Sequence, residues 1–310
     1  MNEKIAIELS KRAERITDII RAKGVDISLV YKKSFKNNTD INTFCIKAEN
    51  NTVAPSIHLN DELLSLNDND LADAIIKIYQ DKQISVDNES LSLLKDPDYI
   101  IKSVIPKLIE STQHNLNGVK TNHIAYVPWN ELDLLTTFII PAPDVFNEGN
   151  NGFATIQLTT EQLKSLDIDI NELFKAAISN IENDYRLIQM HELLAEIMGG
   201  DADLLAPSDG CPDMWVLSTN NNMMFGASLL LSEKVTNEVC DRIGTSFYIL
   251  PSSIHETILL PIKEHSFDHD ENMLIDMIHE VNSGCVDPVD RLSDSLFIHD
   301  ANGFHQVKAA

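Results

Sequence analysis

Over residues 119–310, two short apolar runs followed by a helix-period segment recur about three times, and that order leaves few folds open. The first set is Leu132–Pro141, then Gly152–Leu158 after a turn at Asp144–Asn151, then a helix over Asp169–Ile188. The second is Trp215–Thr219, a turn at Asn220–Asn222, Met223–Leu231, and a helix that Ser232 or Glu233 opens and Gly244 closes. The third is Phe247–Leu250, Thr257–Pro261 and a helix over Asp270–Val281. Apolar runs of this length bounded by Asn, Asp, Gly and Pro are strand signals, and tight turns make sequential strands antiparallel. The expected class is α+β, antiparallel sheet with helices packed mainly on one face.

The residues before this region open with a helix. Ile5, Leu9, Ile16, Ile19 and Ile20 recur at helical spacing, Lys and Arg fill the other face, and Gly24 stands where a helix stops. Glu3, Glu8, Glu14 and Asp18 dilute the basic face, so this N-terminal amphipathic helix is expected to dock on the protein itself rather than on a membrane. Strands are expected at Val25–Tyr31, Ile41–Lys47 and Val53–Leu59, with Asn- and Lys-rich turns between them. Asn60 or Asp61 caps a short helix through Leu66, and Asp68–Gln80 forms the next. Asp98–Ser111 reads as a helix that Pro106 kinks or breaks. The polar stretch Thr112–Asn122, with its Asn117-Gly118 pair, is the expected boundary between an α/β domain of residues 1–118 and an α+β domain of residues 119–310.

Charge narrows the range of partners. The chain carries 24 Lys/Arg against 48 Asp/Glu, a net −24. Residues 1–36 hold nine of the basic groups and five of the acidic ones, so the rest of the chain stands at −28. Such a body repels phosphate, which argues against direct nucleic-acid binding and allows a basic protein partner. Solubility alone is the plainer reading of the same charge. No run of about 18 apolar residues occurs, and the N-terminus lacks the apolar core of a secretory signal. Cys45, Cys211, Cys240 and Cys285 are far apart and form no Cys-x-x-Cys, so they read as thiols of a cytoplasmic protein.

The chemistry-bearing residues give weak patterns. His191-Glu192, His255-Glu256 and His279-Glu280 each lack the second histidine of a zinc peptidase helix, since Ala195, Leu259 and Ser283 occupy its place. His265 and His269, four residues apart with Asp268 between them, are a weak metal candidate, because that spacing needs a helix where the sequence suggests a loop. No phosphate loop and no cofactor fingerprint is present. Phe247–Pro261 places Ser252, Ser253, His255 and Glu256 between two apolar runs. Those four supply the residue types of a nucleophile, a base and an orienting acid. They equally suit a strand–turn–strand corner whose serines bond to backbone, and sequence neighbours seldom meet tip to tip. The corner is the favoured reading.

Three of these stretches, with one nearer the N-terminus, resemble a single family. Ala54-Pro-Ser-Ile-His-Leu-Asn60 is similar to its "S-P-T-I-Y-L-N" segment. Trp215-Val-Leu-Ser-Thr-Asn220 followed by Phe225-Gly-Ala227 is similar to "Y-V-L-T-N … Y-G-A". Phe247–Pro261 resembles "F-Y-I-L-P-S-S-V-H-E-V-I-L-L-P". The family is a domain of unknown function from anaerobic gut Firmicutes, often found in mobile elements. The resemblance implies a bacterial, intracellular protein and brings no activity with it. The expectation is a non-enzymatic, acidic interaction protein with a basic protein partner, acting on host defence or on element transfer. The alternative is a hydrolase built on Ser252, Ser253, His255 and Glu256.

Overall fold

A computed structural model describes residues 2–48, 56–81, 92–141, 155–207, 214–220, 224–262 and 271–307. They fall into two compact units, one within residues 1–95 and one formed by residues 96–141 and 155–310. Among the described residues all strand pairs are antiparallel, and the class is α+β. The boundary expected at 118 falls inside the helix Gln113–Thr121 of the second unit. Thr112 caps that helix through its side chain, so the polar stretch is structured.

The first unit packs two longer helices on a three-stranded sheet. The helix Asn2–Ala22 buries Leu9, Ala13, Ile16 and Ile20 in one core with Phe44 and Ile46 of the sheet and Leu71 and Ile75 of the helix Asp68–Asp81. From Leu9 to Ile20 its apolar stripe is therefore covered by the protein itself, as its mixed charges suggested, while Ile5 and Ile7 stay exposed. Gly24 follows at φ +83°, a conformation that ends helices at little cost to glycine. Strands β1 (Ser28–Lys36), β2 (Thr39–Lys47) and β3 (Ser56–His58) lie in that order. The sheet differs from expectation in that β1 runs through Lys32, Lys33 and Lys36. The hairpin turn is only Asn37-Asn38, with Asn38 left-handed at φ 59°, so the lysines pair with β2 on the sheet edge. Lysines on an edge strand also discourage pairing with other chains. Asn60 caps the helix Asp61–Ser65 by accepting the Leu63 N–H at 2.9 Å.

The second unit holds two sheets. The expected helix 98–111 is instead a short helix, Pro97–Ser103, and a strand, β4 (Ile105–Glu110). Pro106 cannot donate to a helix ladder, but it is tolerated on the outer strand of a sheet. β4 pairs with β6 (Leu134–Pro141), which on its other side meets β5 (Tyr126–Trp129) and β7 (Thr155–Gln157). β6 is buried from Leu134 to Ile140, and Phe138 meets Phe174 of the helix Ile170–Ile181 edge to face.

That helix stops well short of Ile188, because residues 185–189 form β8 (Tyr185–Gln189). The six-stranded sheet also contains β9 (Trp215–Thr219), β10 (Phe247–Leu250), β11 (Glu256–Pro261), β12 (Phe297–Asp300) and β13 (Gly303–Gln306). Its order is β13-β12-β10-β11-β9-β8. The expected strand over Met223–Leu231 is replaced by a 3₁₀ segment, Gly226–Leu231, and residues 221–223 lie outside the described residues. β9 consequently pairs with β8 and β11 rather than with its sequence neighbour. On one face Tyr248, Leu250 and Leu260 pack against Leu274 and Ile278 of the helix Glu271–Gly284. Each such buried aliphatic side chain contributes about 1.5–3 kcal/mol of apolar transfer.

Candidate functional site

β10 and β11 pair directly, Leu250 opposite Ile258, and residues 251–255 link them. This corner is fastened on two sides. On one side Ile254 N–H donates to Asp290 O at 2.8 Å, and Ser293 N–H donates to Pro251 O at 3.0 Å. On the other side Gly226 N–H donates to His255 O at 2.7 Å, and Ser218 Oγ donates to the same oxygen at 3.0 Å. A carbonyl with two lone pairs is thereby saturated. Gly226 is required here, because a Cβ would collide with that oxygen and lie 2.6 Å from Ser218 Cα.

The His255 ring is held as firmly as its backbone. Its Nδ1 accepts the Phe225 N–H at 3.2 Å, and Nε2 stands 3.2 Å from Asp290 Oδ1. Nδ1 as an acceptor places the ring proton on Nε2, where it donates to the carboxylate. The Phe225 ring lies 5.3 Å away, centroid to centroid, with Lys107 Nζ above it at 5.6 Å. Phe225 reaches this position with φ 58°, unusual for a bulky residue.

Ser253 is buried. Its Oγ accepts the His255 backbone N–H at 3.0 Å, and its hydroxyl bonds to Glu256. Ser252 contributes its carbonyl, 3.4 Å from Leu292 N. The four candidates thus lie together, but both His255 ring nitrogens meet groups other than a serine. The arrangement joins histidine to acid without a nucleophile between them. Burial raises the Glu256 carboxyl above its usual range, against the opposing pull of His255 and Ser253. Close by, burial likewise raises Glu110, although Ser293 Oγ donates to its Oε1 at 3.0 Å. Asp290 and Ser293 carried no signal as sequence, since their partners lie tens of residues away, and Gly226 was marked only by the Phe225-Gly-Ala227 resemblance. His265, Asp268 and His269 lie outside the described residues.

The corner brings together the segments around Trp215, Phe225 and Phe247. A family of unknown function (DUF5688) matches residues 9–301. The chain belongs to that family. No curated protein and no solved structure matches the chain. The DUF5688 match spans every element that fastens His255.

A different kind of feature lies elsewhere in this DUF5688 chain. Residues 187–233 contain seven Asp/Glu and no Lys or Arg. Within them the helices Met190–Met198 and Ala202–Leu205 expose Leu194, Ile197, Met198, Leu204 and Leu205, with Ile197 and Met198 each 72% exposed and Leu204 83%. Exposed Glu192 and Asp203 flank them. Among the described residues no helix is long and apolar enough to cross a membrane.

Proposed function

We propose that the protein is a non-enzymatic interaction protein that binds a basic, amphipathic helical segment of a protein partner. The observation that carries this is the cluster Leu194, Ile197, Met198, Leu204 and Leu205, exposed together in a stretch with no positive charge. A soluble surface rarely leaves so many large apolar groups together in water without a use for them. Methionine and leucine give an adaptable apolar face, and flanking carboxylates select a partner with Lys and Arg beside its own apolar stripe. Arg186 pairs with Glu196 at the edge of this surface and also feels the charge of Glu192. From the resemblance of the sequence to element-borne relatives, we place the partner among components of host defence or of element transfer, within the cytoplasm.

The test is titration of the full chain with an amphipathic Lys/Leu helical peptide of about 18 residues, and with its Glu/Leu counterpart. The expected result is saturable binding of the basic peptide alone, weakened by salt. Ile197→Ser with Leu204→Ser leaves the charge unchanged and should weaken binding about ten-fold or more. Equal binding by that double variant would mean that charge alone attracts the peptide, and the surface assignment would be wrong.

A further inference from the structure

A second site lies in the second unit, and its lining shares no residue with the His255 corner or with the exposed apolar cluster. It is a cavity of about 480 Å³ between β5, the start of the helix Glu233–Ile243 and the β12–β13 hairpin. That volume is in the range of small-molecule sites. Trp129 and Phe304 line it, with ring centroids 5.4 Å apart and planes at 84°. His299 continues the aromatic wall at 4.7 Å from Phe304, and Phe174 also contributes. Aromatic surfaces set at right angles present ring faces in two directions.

The polar lining offers acceptors. Glu233 contributes a carboxylate and Asn237 an amide one helical turn later. His299 Nδ1 lies 3.1 Å from Thr245 O, so it carries the proton and leaves Nε2 as an acceptor. Among the described residues the lining contains no Lys or Arg. Ring faces attract cations through their quadrupole, and a nearby carboxylate adds a full charge. The chain's net −24 raises the local concentration of cations further.

We propose that this cavity binds a small organic ammonium cation, with the charged nitrogen against Trp129 and Phe304 and its balance supplied by Glu233. The site is independent of the protein-partner surface. Loss of either leaves the other standing.

The test compares choline with 3,3-dimethylbutan-1-ol, which replaces the ammonium nitrogen by carbon in nearly the same shape. The full chain has two tryptophans. Their indole N–H resonances are followed by NMR, and Trp215→Phe assigns them. Choline is expected to shift the Trp129 signal saturably at millimolar concentration, with the neutral alcohol about ten-fold weaker or worse. Glu233→Gln, an exposed change in the first helical turn, should weaken choline about three-fold or more and leave the Trp215 signal in place. Equal affinity for the two probes, an unaffected Glu233→Gln variant, or no saturable shift by about 50 mM would each overturn the proposal.

Discussion

Gly226 donates its N–H to the carbonyl oxygen of His255 at 2.7 Å, and the approach leaves no room for a side chain. Gly226→Ala must push apart backbone that three segments share. Over-packing of a buried contact costs about 1–3 kcal/mol, and the upper end is expected because the obstacles are backbone atoms. Urea unfolding followed by tryptophan emission measures it. A loss below about 0.5 kcal/mol, the scale of an ordinary surface change, would show that the corner yields easily.

The two serines of the corner should separate cleanly. Ser253→Ala strands the His255 N–H in a buried place and is expected to cost about 1–2 kcal/mol. Ser252, which takes part through its carbonyl, should tolerate alanine within about 0.5 kcal/mol. The reverse ranking in denaturation experiments would contradict the bonding described for the turn.

Glu256 gives a pH signature. Burial raises its carboxyl above the ordinary 4.5, so the folded chain holds this proton more tightly than the unfolded one. That contribution is fully present below pH 4.5 and is lost as pH rises through the folded value. Glu256→Gln removes the titration while keeping an acceptor for Ser253. The variant should therefore gain on the parent chain as pH climbs from about 4 to 7. A stability difference that is flat with pH would mean the carboxylate is not desolvated.

Asp68 should behave in the opposite sense. Burial pushes its carboxyl upward, but Arg15 and Arg12 outweigh that and hold it below the ordinary 3.8. It accepts Arg12 Nε at 2.9 Å and Arg15 Nε at 2.8 Å. Its contribution is present above pH 3.8 and is lost as pH falls through the lower folded value. Asp68→Asn is expected to cost about 1 kcal/mol at neutral pH, shrinking toward zero in acid. Both tryptophans belong to the second unit, so amide exchange in the β1–β2 hairpin is the suitable readout.

The sequence was most legible where a local rule acts alone. Gly24, Asn60, Ser232 and Gly244 mark helix ends by capping chemistry, and each stands where such an end occurs. It was least legible where distant pairing overrode local pattern. Met224–Leu231 is apolar enough for a strand, yet Gly226 is drawn onto the His255 carbonyl and the segment winds into a 3₁₀ turn instead. Residues 185–189 carry the helical period of the preceding turns, but β9 recruits them as a strand. The site followed the same division. Ser252, Ser253, His255 and Glu256 were visible as a polar group between strands, whereas Asp290 could be found only in three dimensions. So could the Trp129–Phe304 wall, whose members are far apart in sequence.

Strand order also bears on how the chain comes off the ribosome. The first unit's sheet can pair once residues 28–58 have emerged, because its three strands are consecutive. In the second unit β10 lies between β11 and β12, and β12 begins only at Phe297. Until those residues emerge, Phe247-Tyr-Ile-Leu250, all buried in the finished fold, forms a bare edge with free backbone donors and acceptors. An apolar edge of that kind invites pairing with other nascent chains. Arrest of synthesis between residues 262 and 296 therefore leaves this edge open to aggregation, and rapid completion of β12 closes it.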